Sequence, residues 1–480
     1  MSRSGAKAAR APRAASGLFL VLLATTITLL AYALVGLGRR GRVPPSIGLY
    51  GSIIAAGYLI AWGTVRVTAR RADPALLPAA GVLAGLGFAV IWRLQPDLAV
   101  EQVTWLLVGL VAFVLTLVLV RDDRSLDAYT YTIGLAGLVL LLLPIVPGIG
   151  RTINGARLWV QIGPLSFQPS EFGKVLIVIF LASYLAAKRE LLAEGVGRFG
   201  LPRVKDLGPL ILAWVASLVV LFLEKDLGAS LLYFGVFVVM IWVASGRPSY
   251  LVIGLVLFAA GAAMGYATFA HVQLRVDYWL HALDPDKVFE LGYGQLAQGW
   301  FALASGGLVG TGLGQGSPTL IPYAATDFIF AAIGEELGLL GTAALLLAYL
   351  VLLGRGLRVA IERTDGFGKL LATGLTASIA LQTFVIVGGV LRLIPLTGVT
   401  LPFVSYGGSS LVANFVILAL LIRVSAGPWR PARRRRRSEP PAPRAGEGRT
   451  AEAATAAELE EPSEPAPARP DAVADAEAPA

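Results

Sequence analysis

The chain has 480 residues, 56% of them hydrophobic and only 15% charged, against roughly 25% charged in an ordinary soluble domain. With no cysteine and two histidines, His271 and His281, it has no disulfide framework, thiol nucleophile or imidazole cluster. Chemistry must therefore run on carboxylates, hydroxyls and amines, and the net charge of +9 belongs to basic loops at a membrane; no nucleic-acid partner is expected.

Hydropathy with charged and Pro/Gly breaks predicts an all-α polytopic membrane bundle of about twelve spans, near 16–37, 46–66, 76–94, 102–120, 129–147, 172–187, 208–223, 228–245, 250–270, 331–354, 369–391 and 409–426. The first span follows Arg3, Lys7, Arg10 and Arg13 as a signal peptide would. It is long, however, and Arg39, Arg40 and Arg42 stand where a cleavage site would be, so it reads as a retained helix. The organisation expected is a cytoplasmic N-terminus (1–15), two additional helices (16–66), a membrane core (76–426) with a large outer loop (271–330), and a cytoplasmic tail (427–480). That tail is basic at first and then rich in Pro, Ala and Glu, too poor in large apolar residues to build a core.

Basic loops fix the orientation. Arg66, Arg70, Arg71, Arg121, Arg124, Lys188, Arg189, Arg247, Arg355, Arg358, Arg363, Arg423 and Arg433 to Arg437 fall on one side, so both termini are read as cytoplasmic. The Arg39, Arg40 and Arg42 cluster falls on the other side and breaks this rule, unless the first two spans are misplaced or the loop meets anionic head groups. Three outer segments, 148–171, 271–330 and 392–408, are too long or too irregular for turns and are where function is expected. Within the second, Gly292 to Ser305 reads as a short amphipathic or re-entrant helix covering a site.

The sharpest chemical feature is Thr326-Asp327-Phe328-Ile329-Phe330 followed by Glu335-Glu336-Leu337-Gly338. Carboxylates near lipid are costly and face a cavity, pair with a cation, or act. Asp327, at the outer start of a helix, is the strongest candidate for a general base. Glu335 and Glu336 read equally well as capping or pairing groups. In Gln168-Pro169-Ser170-Glu171-Phe172-Gly173-Lys174, Glu171 and Lys174 share a helix face and can pair, and Lys174 can alternatively reach a phosphate. Arg157 beside Trp159 is an interfacial anchor or a phosphate contact. Arg275, Arg392 and Lys225 complete an outer basic lining suited to a diphosphate. Glu224, Lys225 and Asp226 read as a junction, with a solvated turn as the plain alternative. The run Ser305 to Gly314 is glycine-rich but follows no strand and lacks Gly-Lys-Ser/Thr, so it reads as a lid or a packing element, not a nucleotide loop. Pro395, Pro402 and Ser405 to Ser410 predict broken backbone lining a cavity. Two function classes fit at this level, an enzyme on an anionic lipid-linked substrate at the outer leaflet or a transporter with acids for proton coupling, and a third, a membrane scaffold for other proteins, needs no cavity chemistry.

The order Gln168-Pro-Ser-Glu171-x-x-Lys174, Asp226-Leu-Gly, Asp284-Pro285, Gln295-x-x-Gln298, Ser305-Gly-Gly-x-x-Gly-x-Gly-x-Gly314, Thr326-Asp327-Phe-Ile-Phe, Glu335-Glu-Leu-Gly and Pro402-Phe-Val-Ser-Tyr-Gly-Gly-Ser409 resembles the shape, elongation, division and sporulation family, that of RodA and FtsW. The resemblance covers about residues 76–425. It implies a peptidoglycan glycosyltransferase that polymerises lipid II, the undecaprenyl-diphosphate-linked disaccharide peptide, at the outer face of the cytoplasmic membrane beside a class B penicillin-binding protein. It also implies Asp327 as the base in an inverting transfer. Substrate contacts are expected at Arg157, Gln168, Glu171, Lys174, Arg275, Gln295, Gln298, Glu335 and Ser405. No organic cofactor is implied, and a divalent cation, magnesium or manganese, can offset charge on the diphosphate. The chain departs from many relatives at Glu224-Lys225, at the spacing of Tyr293 to Gln295, at Gly299 and at Leu158. The two additional spans, as in actinobacterial members, favour the RodA-like elongation side over the FtsW-like division side. The rival functions are a lipid II translocase and a scaffold for the penicillin-binding protein.

Overall fold

A computed structural model describes residues 11–153, 156–163, 165–194, 226–290 and 292–427, with residues 215, 219 and 224 in addition. The predicted span 208–223, Lys225 and nearly all of the predicted tail (427–480) lie outside the described residues. Thirteen helices matter here: α1 (Ala11–Arg40), α2 (Ile47–Thr68), α3 (Leu76–Leu94), α4 (Leu98–Leu119), α5 (Thr130–Leu142), α6 (Pro169–Ala187), α7 (Leu227–Ser245), α8 (Ser249–Thr268), α9 (Ala270–His281), α10 (Tyr293–Gly306), α11 (Ile329–Glu362), α12 (Gly366–Val390) and α13 (Gly408–Ser425). Ten of them, all but α5, α9 and α10, are long and apolar enough to cross a membrane. The all-α bundle expected from hydropathy is there. The number of spans among the described residues is ten rather than twelve, because α5 is short and 208–223 is not described.

α3, α12 and α13 occupy the centre and α8 stands at the rim. Small residues bring the first two helices onto that centre. Tyr58 of α2 donates its hydroxyl to the carbonyl of Gly81 at 2.9 Å. A Cβ at Gly85 would stand 1.8 Å from the Thr28 hydroxyl of α1, so only glycine permits this crossing. The two additional helices therefore belong to the same compact unit as the rest of the described chain.

The segment 148–171 holds something that hydropathy did not show: three antiparallel strands, β1 (Gly150–Ile153), β2 (Ala156–Ile162) and β3 (Leu165–Phe167), in sequential order. Arg151 pairs with Trp159 and Val160 with Phe167. This sheet ends at Gln168, the residue before α6.

α11 is broken at Gly338 (φ 65°, ψ −165°). A break inside a membrane helix orphans backbone groups, which must find partners within the protein. The glycine-rich segment supplies all four. The amides of Thr311 and Gly312 donate to the carbonyls of Glu335 and Glu336 at 2.9 Å each, and the amides of Leu339 and Leu340 donate to Gly307 and Leu308 at 2.9 and 3.1 Å. Side chains cannot fit there: a Cβ at Gly306 would lie 2.0 Å from the carbonyl oxygen of Gly334, and one at Gly310 (φ 86°) would lie 2.2 Å from that of Glu336. The run Ser305 to Gly314 is thus the backbone partner of a discontinuous helix.

Candidate active site

One end of the bundle encloses a cavity of about 680 Å³. Its walls come from Trp105 of α4, Leu158 and Trp159 of β2, Gln168, Glu171 and Lys174 at the start of α6, Asp226 and Tyr233 of α7, Arg275, Tyr278 and Trp279 of α9, Gln295 of α10, Asp327, and the segments 396–400 and 406–410. Of the site residues expected from sequence, Asp327, Arg275, Gln168, Glu171, Lys174 and Gln295 thus share one chamber.

Asp327 lies just before α11, with Phe328 and Ile329 fully buried behind it. Burial pushes its carboxyl up to about 6, while the Arg275 guanidinium and the Thr326 hydroxyl pull it back. Arg275 is held by Nη1, which donates to the carbonyl of Leu396 at 2.9 Å. Gly398 (φ 76°) lets the chain pass close to both groups. A Cβ there would stand 3.7 Å from Asp327 Oδ2 and 3.8 Å from an Arg275 nitrogen.

Deeper in, Lys174 Nζ donates to Glu171 Oε2 and to Gln382 Oε1, each at 2.8 Å. Gln382 donates in turn to the carbonyl of Thr400 at 2.9 Å, and the Thr400 hydroxyl reaches Ser410 at 2.8 Å. This polar chain ties α6, α12 and α13 together at the chamber wall. Sequence reasoning missed Gln382, although a fully buried glutamine in an apolar span is itself a signal. Asp226 accepts from the amide of Ala229 at 2.9 Å and so caps α7 while facing the cavity. Glu224 is buried, which replaces the solvated-turn reading of that junction, and burial with Asp226 nearby pushes its carboxyl up to about 8.

Four expected contact residues lie outside the lining. Arg157 is half-buried on β2, where a Cβ at Gly150 would come within 3.1 Å of its Nε. Gln298 is exposed, one turn beyond Gln295. Glu335 Oε1 accepts from the amide of Ser317 at 2.7 Å and anchors the loop after the glycine-rich run. Ser405 donates to the carbonyl of Thr326 at 2.6 Å and accepts from the amide of Leu401 at 2.9 Å, so it holds the backbone that presents Asp327. Lys225 of the expected basic lining lies outside the described residues, and Arg392 is turned away from the cavity. Among the described residues no three His, Asp or Glu side chains gather as a metal-holding set.

Glu336 forms a buried ion pair, with Arg93 Nε 2.8 Å from its Oε1. Its other oxygen accepts from the amide of Gly314 at 2.9 Å, and Arg93 Nη2 donates to the carbonyl of Gly316 at 2.7 Å. The Arg39 and Arg40 cluster meets this same corner: Arg39 reaches the carbonyl of Arg93, and the Arg40 guanidinium lies 5.8 Å from the centre of the Trp92 ring. Both basic residues thus touch the protein while remaining exposed. Arg93→Met should lower stability by about 3–5 kcal/mol, because it strands a buried carboxylate. Thermal denaturation in detergent would measure this, and a loss below about 1 kcal/mol would show that water reaches the pair.

The family model for the FtsW/RodA/SpoVE cell cycle proteins matches residues 91–428. The peptidoglycan glycosyltransferase RodA of Mycobacterium tuberculosis is 46% identical over 448 residues, covering 89% of this chain and 94% of the relative. That of Mycobacterium leprae is 44% identical, covering 87% and 91%. Among solved structures, a peptidoglycan synthase complex described as coordinating polymerization and crosslinking contains a chain 30% identical, with TM-score 0.61 over 74% of this chain and 97% of its own. The rod shape determining protein RodA of Thermus thermophilus is 28% identical, with TM-score 0.53 over 75% of this chain and 98% of its own. By the span of that family match and the depth of these identities, the chain belongs to the FtsW/RodA/SpoVE family of cell cycle proteins.

Proposed function

We propose that this peptidoglycan glycosyltransferase polymerises lipid II in the cavity, with Asp327 as the base. The observation that carries this reading is a carboxylate raised toward neutrality by burial, set beside a guanidinium and opening on a chamber that also holds Lys174. Asp327 takes the proton from the acceptor's N-acetylglucosamine hydroxyl. That oxygen attacks the anomeric carbon of the donor's N-acetylmuramic acid, and undecaprenyl diphosphate leaves from the opposite face with the bonding electron pair, inverting the centre. Arg275 and Lys174 are the cations on the lining that can meet charge growing on the leaving diphosphate. A magnesium or manganese ion, where bound, would offset charge on the diphosphate.

The cavity end is assigned to the outer face and both termini to the cytoplasm, because Arg66 and Arg423 fall in the last turns of α2 and α13, and Arg121 just follows α4, at the other end. The solved synthase complex supports a class B penicillin-binding protein as partner. The 46% identity to RodA, against 35% to a probable peptidoglycan glycosyltransferase FtsW of Geobacter metallireducens, supports a role in elongation. Purified protein given labelled lipid II and a divalent cation, with and without the partner, should yield a glycan ladder on a gel. Movement of lipid II across vesicles with no ladder would establish the translocase instead.

A further inference from the structure

Helix α9 walls one side of the cavity, yet none of its residues is buried, so packing alone does not fix it. Its attachments are polar and lie on two faces. Arg275 and Trp279, four residues apart, share the face toward the cavity. Asp277 and His281, also four apart, hold the other: His281 Nδ1 is 2.7 Å from Asp277, Lys287 is 3.8 Å away, and the Tyr293 hydroxyl of α10 bonds the same carboxylate.

The last turn of a helix leaves carbonyls without intrahelical partners. In α9 those of Trp279 and Leu280 are taken by one side chain, Arg392. Its Nε and Nη2 donate to Trp279 at 3.1 and 2.9 Å, and Nη2 also donates to Leu280 at 3.1 Å. Trp279 answers with its indole N–H to the carbonyl of Arg392 at 2.9 Å. Arg392 sits in the left-handed region at φ 57°, unusual for a side chain of this size. Its guanidinium also lies 5.6 Å from the centre of the Trp300 ring of α10, whose indole N–H donates to the carbonyl of Val390 at 3.0 Å. One strained arginine thus clasps α9, α10 and the end of α12.

We propose that Arg392 is a positioning residue for glycosyl transfer: by capping α9 and holding Trp279, it sets Arg275 against Asp327. The inference rests on Asp327 being the base. Arg275 lies one turn before Trp279 on the same face, and both are tied to the segment 392–396, so freeing the Arg392 end frees the guanidinium as well. Arg275 and the Thr326 hydroxyl are the groups that oppose the effect of burial on Asp327. Lys174 is engaged by Glu171 and Gln382, and Asp226, the third carboxylate on the lining, is raised by burial and pulled back by the Ala229 amide and the same Arg275. With Arg275 displaced, Asp327 holds its proton to higher pH.

The test uses Arg392→Asn in the full chain, since asparagine tolerates positive φ and removes only the clasp. The acid limb of kcat/KM should move to higher pH, with activity at about pH 5 falling on the order of tenfold more than at about pH 8, since below both values one pKa unit is tenfold in ionised base. Arg275→Gln should move the limb likewise, adding Arg392→Asn to it should move it no further, and Arg392→Lys should recover part of the wild-type profile. An equal fall at every pH would overturn the proposal. The chain has no cysteine, so a nitroxide on Leu274→Cys, an exposed position of α9, reports the same event without catalysis. Its mobility should rise in Arg392→Asn, and unchanged mobility would overturn the proposal whether or not polymer forms. A wild-type protein that makes no polymer while the label responds would instead remove the base assignment and leave the clasp.

Discussion

Asp327→Asn should erase the glycan ladder while leaving the protein folded and bound to its partner. The amide keeps the size of the carboxylate but cannot take a proton, and loss of a positioned base costs about 10²- to 10⁴-fold. The wild-type pH profile carries the same signature. Only the ionised carboxylate is a base, so with its pKa at about 6 activity should climb through about pH 6 and level off above about pH 7. A carboxyl at its ordinary value of about 3.9 would give a flat profile across that range. Equal ladders from wild type and Asp327→Asn would remove Asp327 from the chemistry. A flat profile would mean that water reaches it during turnover.

Much of this site was legible because lipid makes charge expensive. Asp327, Glu171 and Lys174 stood out as ionisable groups at helix starts in an apolar chain, and the structure puts all three on one chamber. The same rule left Glu335 open between a capping or pairing group and a functional one. It picks out buried carboxylates without saying what occupies them, and this one is taken by a backbone amide of the loop it anchors. Periodicity gave most of the long helices to within a few residues, with α11 running past its expected end at 354 to Glu362, but could not show β1 to β3, since strands of three to seven residues broken by Gly and Pro carry no hydropathy signal. Nor could it show what the glycines between Gly306 and Gly314 are for. Their reason lies in a helix break more than twenty residues away at Gly338, a relation only the folded chain contains. Arg392 was read as lining because its charge and its place in the chain suit a diphosphate. Its backbone dihedral and the orphan carbonyls of α9, which send the side chain elsewhere, are not sequence properties.

Lys174→Met should cost about 3–5 kcal/mol of stability, because it leaves the half-buried Glu171 without its cation in a low-dielectric wall and Gln382 without its donor. Removing both charges together behaves differently. In the double variant Glu171→Gln, Lys174→Met no ion is stranded, and stability should return to within about 1 kcal/mol of wild type, since a buried pair and its neutral replacement are often close in free energy. That separation decides what Lys174 does. If it serves only to neutralise Glu171, polymerisation returns along with stability. The side chain lies on the cavity wall, however, and its ammonium has three donors, of which Glu171 and Gln382 take two. The expected result is therefore a double variant as stable as wild type that still makes little polymer and has a raised KM for lipid II, because the donor's diphosphate has lost its cation. Thermal denaturation and the ladder assay on the same preparations read both quantities. Full activity in the stable double variant would confine Lys174 to holding α6 against α12.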